Sequence, residues 1–140
     1  TKRNIERSVI YADVLIGAVL SPGQRTPILV TREMVRSMKP RSVIMDISID
    51  EGGCVETSRP TTHERPIYIE EGVLHYCVPN IPGAVARTAT HAFVNSAMPY
   101  ITEIAALGPD AILSNLSIEA AVNTHNGKLH NLVRLHAREE

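Results

Sequence analysis

The sequence predicts an α/β fold in which a parallel sheet comes first and helices follow. Three short apolar runs, over residues 13–20, 42–49 and 72–78, have the length of strands and stop at residues typical of turns. A helical pattern separates the first two runs, and a strand, a helix and a strand in that order form a parallel pair. The rest of the chain carries mainly helical patterns.

The first predicted elements follow one another closely. Residues 4–11 read as the last turns of a helix. The run over 13–20 shows no alternation of apolar and polar residues, which predicts a strand buried on both faces. Residues 31–38 read as a short helix, with Thr31 as its N-cap and Pro40 as its stop.

A long helix is predicted over residues 87–107. Thr88 or Thr90 is the expected cap, Pro99 is expected to kink the helix, and Gly108 lies where a helix commonly ends. The remaining predicted elements are a helix over 110–122, a tight turn at Asn126-Gly127 and a helix over 129–138.

Composition excludes several classes of function. The 140 residues are enough for one hydrophobic core, and 14 Lys and Arg against 15 Asp and Glu leave a formal charge of −1. A nucleic-acid partner is not expected, because phosphate binding needs concentrated positive charge. With no apolar run of membrane-spanning length, no membrane partner is expected either. The histidines lack metal-ligand spacing, so no metal is predicted, and His63 and His75 are interpreted as structural.

Polar residues cluster after the predicted strands. In an open α/β sheet, ligands bind in the crevice outside the carboxyl ends of the strands. Val19, Leu20, Asp50, Asn80 and Ile81 would line such a crevice, with apolar groups for a flat ring and polar groups for hydroxyls or an amide. No glycine-rich phosphate-binding motif follows any of these strands. The chain therefore reads as the second half of a Rossmann-type, dinucleotide-binding sheet.

Each candidate also has a structural interpretation. Asp50 could cap a turn before two glycines, Asn80 could bind its own loop, and Arg59 could be a surface cation. Asp46, inside the second strand, is interpreted as a structural carboxylate whose hydrogen bonds are satisfied. Cys54 is interpreted as a reduced, buried thiol, because no base lies near it in the sequence.

Several long motifs, in order, closely resemble alanine dehydrogenase, of the alanine dehydrogenase and pyridine nucleotide transhydrogenase family. The motifs lie in residues 12–20, 29–35, 38–40, 42–44, 49–63, 71–78 and 80–90. The resemblance weakens after about Gly108. The transhydrogenase α subunit is a poorer match at Thr61-Thr62-His63 and at His75-Tyr76-Cys77. Two departures from the family pattern are Pro79-Asn80-Ile81-Pro82 in place of Ala-Asn-Met-Pro, and Glu51 in place of Gln.

The resemblance implies NAD-dependent oxidative deamination of L-alanine to pyruvate and ammonium. It implies a partial NAD-binding domain over residues 1–86 and a helical segment over 87–140 that packs on a catalytic domain. It also implies a cytoplasmic homo-oligomer, commonly a hexamer. Asp50 is the implied catalytic residue. The implied cofactor-binding residues are Val19, Leu20, Ile47, Ser48, Ile49, Asp50, Arg59, Val78, Pro79, Asn80 and Ile81.

In the family, the substrate-binding Arg and Lys, the catalytic His and the glycine-rich loop lie upstream of the position that matches Thr1. The expected partner is therefore an N-terminal remainder of the enzyme. Two other interpretations stay open: a non-catalytic interaction module from a truncated or split gene, and a transhydrogenase α-like NAD-binding segment.

Overall fold

The computed structural model describes residues 1–131. They form two compact units, the first over Thr1–Ile81 and the second beginning at Pro82. The predicted functional boundary after residue 86 stays a prediction.

A four-stranded sheet forms the centre of the first unit. Its strands are β1 (Val14–Gly17), β2 (Val43–Asp46), β3 (Ile67–Glu70) and β4 (Val73–Tyr76), in the order β1-β2-β4-β3. Strands β1, β2 and β4 are parallel, which confirms the predicted parallel sheet, and β3 runs antiparallel to β4. Strand β3 is not among the strands predicted from the sequence.

Two helices accompany the strands. Helix α1 spans Lys2–Val9 and helix α2 spans Arg32–Arg36, both where helices are predicted. Thr31 caps α2 as expected, because its hydroxyl accepts the backbone N–H of Met34 at 3.4 Å. Strand β1 lies between the helices in the chain, and it completes the predicted strand-helix-strand unit with α2 and β2.

Ion pairs fasten α2 to the turn between β3 and β4. Arg32 and Arg36 bind the carboxylate of Glu71 at 2.6 and 2.8 Å, and Arg32 also binds Glu70 at 2.7 Å. Hydrogen bonds from Arg36 and then Arg32 lower the pKa of Glu71 to about 2. Glu71 and Gly72 both have positive φ, as a two-residue hairpin turn requires.

The hydrophobic core lies on one face of the sheet. Its buried members are Val9, Val30, Met34, Val35, Met38, Ile44, Cys54, Val55 and Val73. On the other face, Val14 and Ile16 of β1 are 54% and 61% exposed. The prediction that this strand is buried on both faces is therefore wrong for the described chain. The pattern misled because both faces of β1 are apolar while only one is covered within residues 1–131.

The longest described helix of the second unit is α3, Ala86–Leu107. Neither Thr88 nor Thr90 caps the helix, because the helix starts earlier than predicted. Val85 occupies the N-cap position and makes no side-chain hydrogen bond there. The helix continues past Pro99, and a kink there stays a prediction. Gly108 ends it with a positive φ, as expected.

The predicted helix over 110–122 is two helices, α4 (Ala111–Ser114) and α5 (Leu116–Ala121). Asn115 separates them, because it is extended and its side chain accepts the N–H of Ser117 at 3.0 Å. The turn at Asn126-Gly127 is confirmed and joins β5 (Thr124–His125) to β6 (Lys128–Leu129). The predicted helix over 129–138 starts inside β6 and otherwise lies mostly outside the described residues. None of the described helices is both long and apolar enough to cross a membrane.

Candidate functional site

The chain turns into a 3₁₀ helix directly after β2. The predicted strand over 42–49 stops at Asp46, and Ile47–Glu51 form the 3₁₀ helix. The carboxylate of Asp46 causes this change, because it accepts the backbone N–H of Ser48 at 3.1 Å and so caps the helix. The turn brings Ser48 and Asp50 to the carboxyl end of β2.

Asp46 is the buried anchor of this region, with 1% of its surface exposed. Besides Ser48, it accepts the backbone N–H groups of Cys54 at 2.9 Å and Val55 at 3.2 Å. These bonds confirm that it is a structural carboxylate. They hold the loop that follows the 3₁₀ helix against the end of β2. Gly53 lies in this loop, and a side chain there would collide with the Asp46 carboxylate.

A buried hydroxyl joins the carboxyl ends of β1 and β2. The Oγ of Ser48 accepts the backbone N–H of Val19 at 2.7 Å, and Ser48 is almost fully buried. A second link joins the same two loops, because the N–H of Thr26 donates to the carbonyl of Glu51 at 3.0 Å. The position of Val19 and Leu20 beside the 3₁₀ helix is therefore fixed by hydrogen bonds.

The carboxylate of Asp50 joins the ends of β2 and β4. Its two oxygens accept the backbone N–H of Asn80 at 3.0 and 3.2 Å. Asn80 has a φ of 51°, a left-handed conformation that Asn tolerates better than most residues. Both side chains are exposed at the surface. The structure thus brings together the three strand ends that the sequence places around one crevice.

The predicted cofactor-binding residues differ in how far their side chains are exposed to solvent. Leu20 and Ile47 present apolar side chains to solvent, with 71% and 45% of their surfaces exposed. Ile81 and Pro79 are half-buried. The side chains of Ser48, Ile49 and Val78 are buried. A ligand at this crevice would therefore meet those three residues through their backbones.

The described contacts of Arg59 are with residues outside this cluster. Its guanidinium lies over the ring of Tyr68, 4.1 Å from the centroid, and its backbone N–H donates to the Tyr68 hydroxyl at 2.9 Å. That hydroxyl donates in turn to the carbonyl of Thr57, and burial raises the pKa of Tyr68. Its described contacts are those of an exposed cation on an aromatic ring, which is close to the structural interpretation.

Arg25 is a further residue near the candidate site, and it was not predicted from the sequence. Its guanidinium lies against Gly52, donating to the Gly52 carbonyl at 3.5 Å, and a side chain at Gly52 would collide with it. Gly52 itself has a φ of 99°, which favours glycine. A cation therefore stands beside the 3₁₀ helix that carries Asp50. The only sequence signal was its place in the loop after the first strand.

The buried thiol and histidine near the sheet are structural. Burial, and then the negative charge of Asp46, raises the pKa of Cys54 to about 11, so it stays a thiol at neutral pH. His75 is fully buried, with Nδ1 3.0 Å from the carbonyl of Val73 and Nε2 2.7 Å from the hydroxyl of Thr57. Both interpretations made from the sequence are confirmed. Within residues 1–131, no three metal-ligand side chains come together.

Comparison with known proteins identifies the chain's relatives. The family model "Alanine dehydrogenase/PNT, C-terminal domain" matches residues 1–132. An alanine dehydrogenase from Halomonas elongata is 49% identical over 126 residues, and one from Methanococcus maripaludis is 51% identical over 128. These matches cover 89% and 90% of this chain. The chain spans about a third of the length of either relative.

Solved structures give the same result. An L-alanine dehydrogenase matches with a TM-score of 0.79 and 46% identity, over 92% of this chain and 36% of the other. A transhydrogenase from Sinorhizobium meliloti matches with a TM-score of 0.69 and 26% identity, over 92% and 35% of the two chains. The extent and identity of these matches establish that the chain belongs to the alanine dehydrogenase/PNT family and corresponds to its C-terminal domain.

Proposed function

We propose that this chain is the cofactor-binding, C-terminal part of an NAD-dependent L-alanine dehydrogenase. The reaction oxidises L-alanine with NAD⁺ and water to pyruvate, ammonium and NADH. The observation that carries the proposal is the joining of three strand ends by Ser48 and Asp50, beside exposed apolar side chains. Membership of the family supports the substrate, because the Halomonas elongata and Methanococcus maripaludis relatives are named alanine dehydrogenases.

The residues at the crevice fit part of a pyridine dinucleotide. Leu20, Ile47 and Ile81 offer apolar surface for flat rings, and Asp50 and Asn80 offer polar groups for hydroxyls or an amide. These five residues would hold the cofactor, with backbone groups of Val19, Ser48, Ile49, Val78 and Pro79. Bound NAD⁺ supplies the hydride acceptor. A glycine-rich phosphate loop does not occur in these 140 residues, so the remainder of the enzyme would supply it.

Asp50 is the proposed catalytic residue of this part of the enzyme. Each carboxylate oxygen has a lone pair left after accepting the N–H of Asn80, and the side chain is open to solvent. The backbone bonds hold the carboxylate in one orientation, as a hydrogen-bonding or proton-accepting group requires. Arg59 is also a proposed cofactor contact, and the proposed assembly of the whole enzyme is a cytoplasmic homo-oligomer, commonly a hexamer.

The test compares two neighbouring carboxylates in a completed enzyme. The chain is fused to the N-terminal portion of the Halomonas elongata relative, and Asp50→Asn is compared with Glu51→Gln. We expect Asp50→Asn to lower kcat/KM for L-alanine by about 10²–10⁴-fold, the usual effect of losing a proton-transfer group. Glu51→Gln removes the adjacent charge and is expected to stay within about twofold, because its side chain makes none of the described contacts.

The measurement is NADH formation at saturating NAD⁺, with circular dichroism to confirm that both variants fold. A normal rate in Asp50→Asn would contradict the catalytic role. The unfused 140-residue chain is the matched control, and we expect no turnover of alanine from it, since hydride transfer needs substrate and cofactor held together.

A transhydrogenase segment is the second candidate, because a transhydrogenase shares the fold with a TM-score of 0.69. Hydride exchange between two nicotinamide cofactors, in the absence of alanine, would mark it. The lower identity of that match, 26% against 46%, favours the dehydrogenase.

A further inference from the structure

One aromatic side chain, that of Tyr68, holds both the main chain and the side chain of Arg59. The hydroxyl of Tyr68 accepts the backbone N–H of Arg59 at 2.9 Å, and the Arg59 guanidinium lies over the Tyr68 ring, 4.1 Å from its centroid. The same hydroxyl donates to the carbonyl of Thr57 at 2.8 Å. Burial raises the pKa of Tyr68, so the hydroxyl keeps the proton that this second bond needs. These contacts restrict the positions that the guanidinium can take.

A buried histidine in turn holds the ring of Tyr68. The rings of Tyr68 and His75 occupy paired positions on β3 and β4, and they stack with their centroids 4.9 Å apart and their planes at 18°. Nδ1 of His75 donates to the carbonyl of Val73, because a carbonyl only accepts. Burial lowers the pKa of His75 and so favours the neutral ring, whose Nε2 accepts the hydroxyl of Thr57 at 2.7 Å. Two hydrogen bonds therefore fix the ring on which Tyr68 stacks.

The loop that carries Arg59 lies at the carboxyl end of β4. The backbone N–H of Thr61 donates to the carbonyl of Cys77 at 3.0 Å, and Val78, the next residue, is one of the proposed cofactor-binding residues. Ligands of open α/β sheets bind beyond the carboxyl ends of the strands. The side chain of Arg59 is exposed, and none of the ion pairs within residues 1–131 involves it. A cation in a restricted position therefore lies at the same edge of the sheet as the candidate crevice.

We propose that Tyr68 is a positioning residue that presents the Arg59 guanidinium to the cofactor. This inference rests on the proposed function, in which Arg59 contacts NAD. A mobile Arg side chain loses conformational entropy when it is ordered by a ligand, and that loss weakens binding. Because Tyr68 orders Arg59 in advance, the guanidinium can donate to oxygen atoms of the dinucleotide at a smaller entropic loss. The ring of Tyr68 holds the guanidinium, and its hydroxyl holds the backbone.

Cofactor affinity in the completed enzyme tests the inference. The fusion with the N-terminal portion of the Halomonas elongata relative is titrated with NAD⁺ by calorimetry, and kcat for L-alanine is measured beside the dissociation constant. We expect Arg59→Ala to weaken NAD⁺ binding at least about tenfold, the usual effect of losing a hydrogen bond from a charged group. Tyr68→Leu removes ring and hydroxyl and should weaken binding at least about fivefold, whereas Tyr68→Phe keeps the ring and should weaken it about two- to fourfold. Neither Tyr68 variant should change kcat by more than about twofold, because the lost contact acts in binding.

A double-mutant cycle separates the positioning of Arg59 from a general structural effect. In the Arg59→Ala background there is no guanidinium to position, so adding Tyr68→Leu should change NAD⁺ affinity less than about twofold. If circular dichroism shows that Tyr68→Leu does not fold, the cycle is run with Tyr68→Phe. An effect of the Tyr68 substitution that is equally large with and without the guanidinium would overturn the inference.

Tyr76→Phe is the matched control for the loss of a hydroxyl. Tyr76 lies on β4, and its hydroxyl makes no hydrogen bond within residues 1–131. We expect this variant to bind NAD⁺ within about 1.5-fold of the parent fusion. A loss of affinity equal to that of Tyr68→Phe would show that the effect is not specific to the residue that holds Arg59, and it would count against the inference.

The same measurements separate this inference from the proposed function. Unchanged affinity in Arg59→Ala would make Arg59 a surface cation and overturn the inference, while NADH formation from L-alanine would still support the dehydrogenase. Non-additive effects of Arg59 and Tyr68, in a fusion that binds NAD⁺ but forms no NADH from L-alanine, would support the inference and count against the dehydrogenase. A folded fusion that does not bind NAD⁺ would overturn both.

Discussion

At the scale of single residues, a few buried polar groups determine the geometry of the strand ends. Asp46 accepts three backbone N–H groups, and Ser48 accepts one from the neighbouring strand end. Leaving such donors unpaired would cost about 1–3 kcal/mol each. At the surface, the carboxylate of Asp50 likewise accepts a backbone N–H group, that of Asn80. Side chains that bind backbone N–H groups therefore place all three strand ends.

Gly17 faces this network and has no room for a side chain. A Cβ there would overlap the Sγ of Cys54 and lie 3.1 Å from the Asp46 carboxylate. We expect Gly17→Ala to destabilise the chain by about 1–3 kcal/mol, the usual cost of overpacking a core. The measurement is urea unfolding at pH 7.

A double-mutant cycle identifies the cause of that effect. Cys54→Ala removes the sulfur atom that the new methyl group would meet, so the two substitutions together should cost less than the sum of their separate effects. Strict additivity would show that the clash with Cys54 is not what destabilises Gly17→Ala.

His75 makes the stability of the first unit depend on pH. Burial lowers its pKa below the ordinary value of 6.5, which the unfolded chain keeps. Below pH 6.5 the unfolded state binds a proton that the folded state does not, so stability is lost as pH falls. The free energy of unfolding should decrease by at most about 1.4 kcal/mol per pH unit from this residue.

The comparison uses His75→Gln, which cannot titrate, and His63→Gln, at an exposed histidine. Between pH 7.5 and 5, we expect the stability of the His75 variant to fall less steeply than that of the parent chain, and the His63 variant to follow the parent. Parallel curves for all three proteins would remove His75 as the cause.

At the scale of elements, apolar runs and caps predicted the helices and parallel strands of the first unit, because those signals are local. Strand β3 escaped prediction because its hairpin turn, Glu71-Gly72, depends on positive φ at a non-glycine residue. The end of β2 was misplaced because the Asp46 carboxylate caps the 3₁₀ helix at Ser48, and its other two N–H partners, Cys54 and Val55, lie several residues later in the chain.

The candidate site, too, could be predicted from the sequence only in part. Loops after strands predicted that Val19, Asp50 and Asn80 would meet, since parallel strands end at one edge. The pattern could not show which side chains point outwards, so it included the buried Ile49 and Val78. It also did not single out Arg25, whose guanidinium contacts Gly52, 27 positions later in the chain.

At the scale of the whole molecule, buried apolar surface is unevenly distributed. Of the fourteen buried hydrophobic residues within residues 1–131, twelve belong to the first unit, and the second contributes Ala111 and Ile118. The long helix α3 has no buried residue within the described chain. Helical stability in proteins comes mostly from the burial of an apolar face, and the described contacts of α3 include only polar ones at Glu103, with Ser114 and Asn115.

We therefore expect the two units of the 140-residue chain to differ in amide hydrogen exchange. Amides of β2 and β4 lie beside the buried core and should exchange only when the first unit unfolds, whereas amides of α3 should exchange at least about tenfold faster through local opening. Mass spectrometry of peptides from each unit measures both rates in one sample. Joining the chain to the remainder of the enzyme should slow exchange in α3 if that remainder covers it, while the rates in β2 and β4 serve as the internal reference. Equal protection in both units of the isolated chain would mean that α3 is stabilised by contacts other than the burial described here.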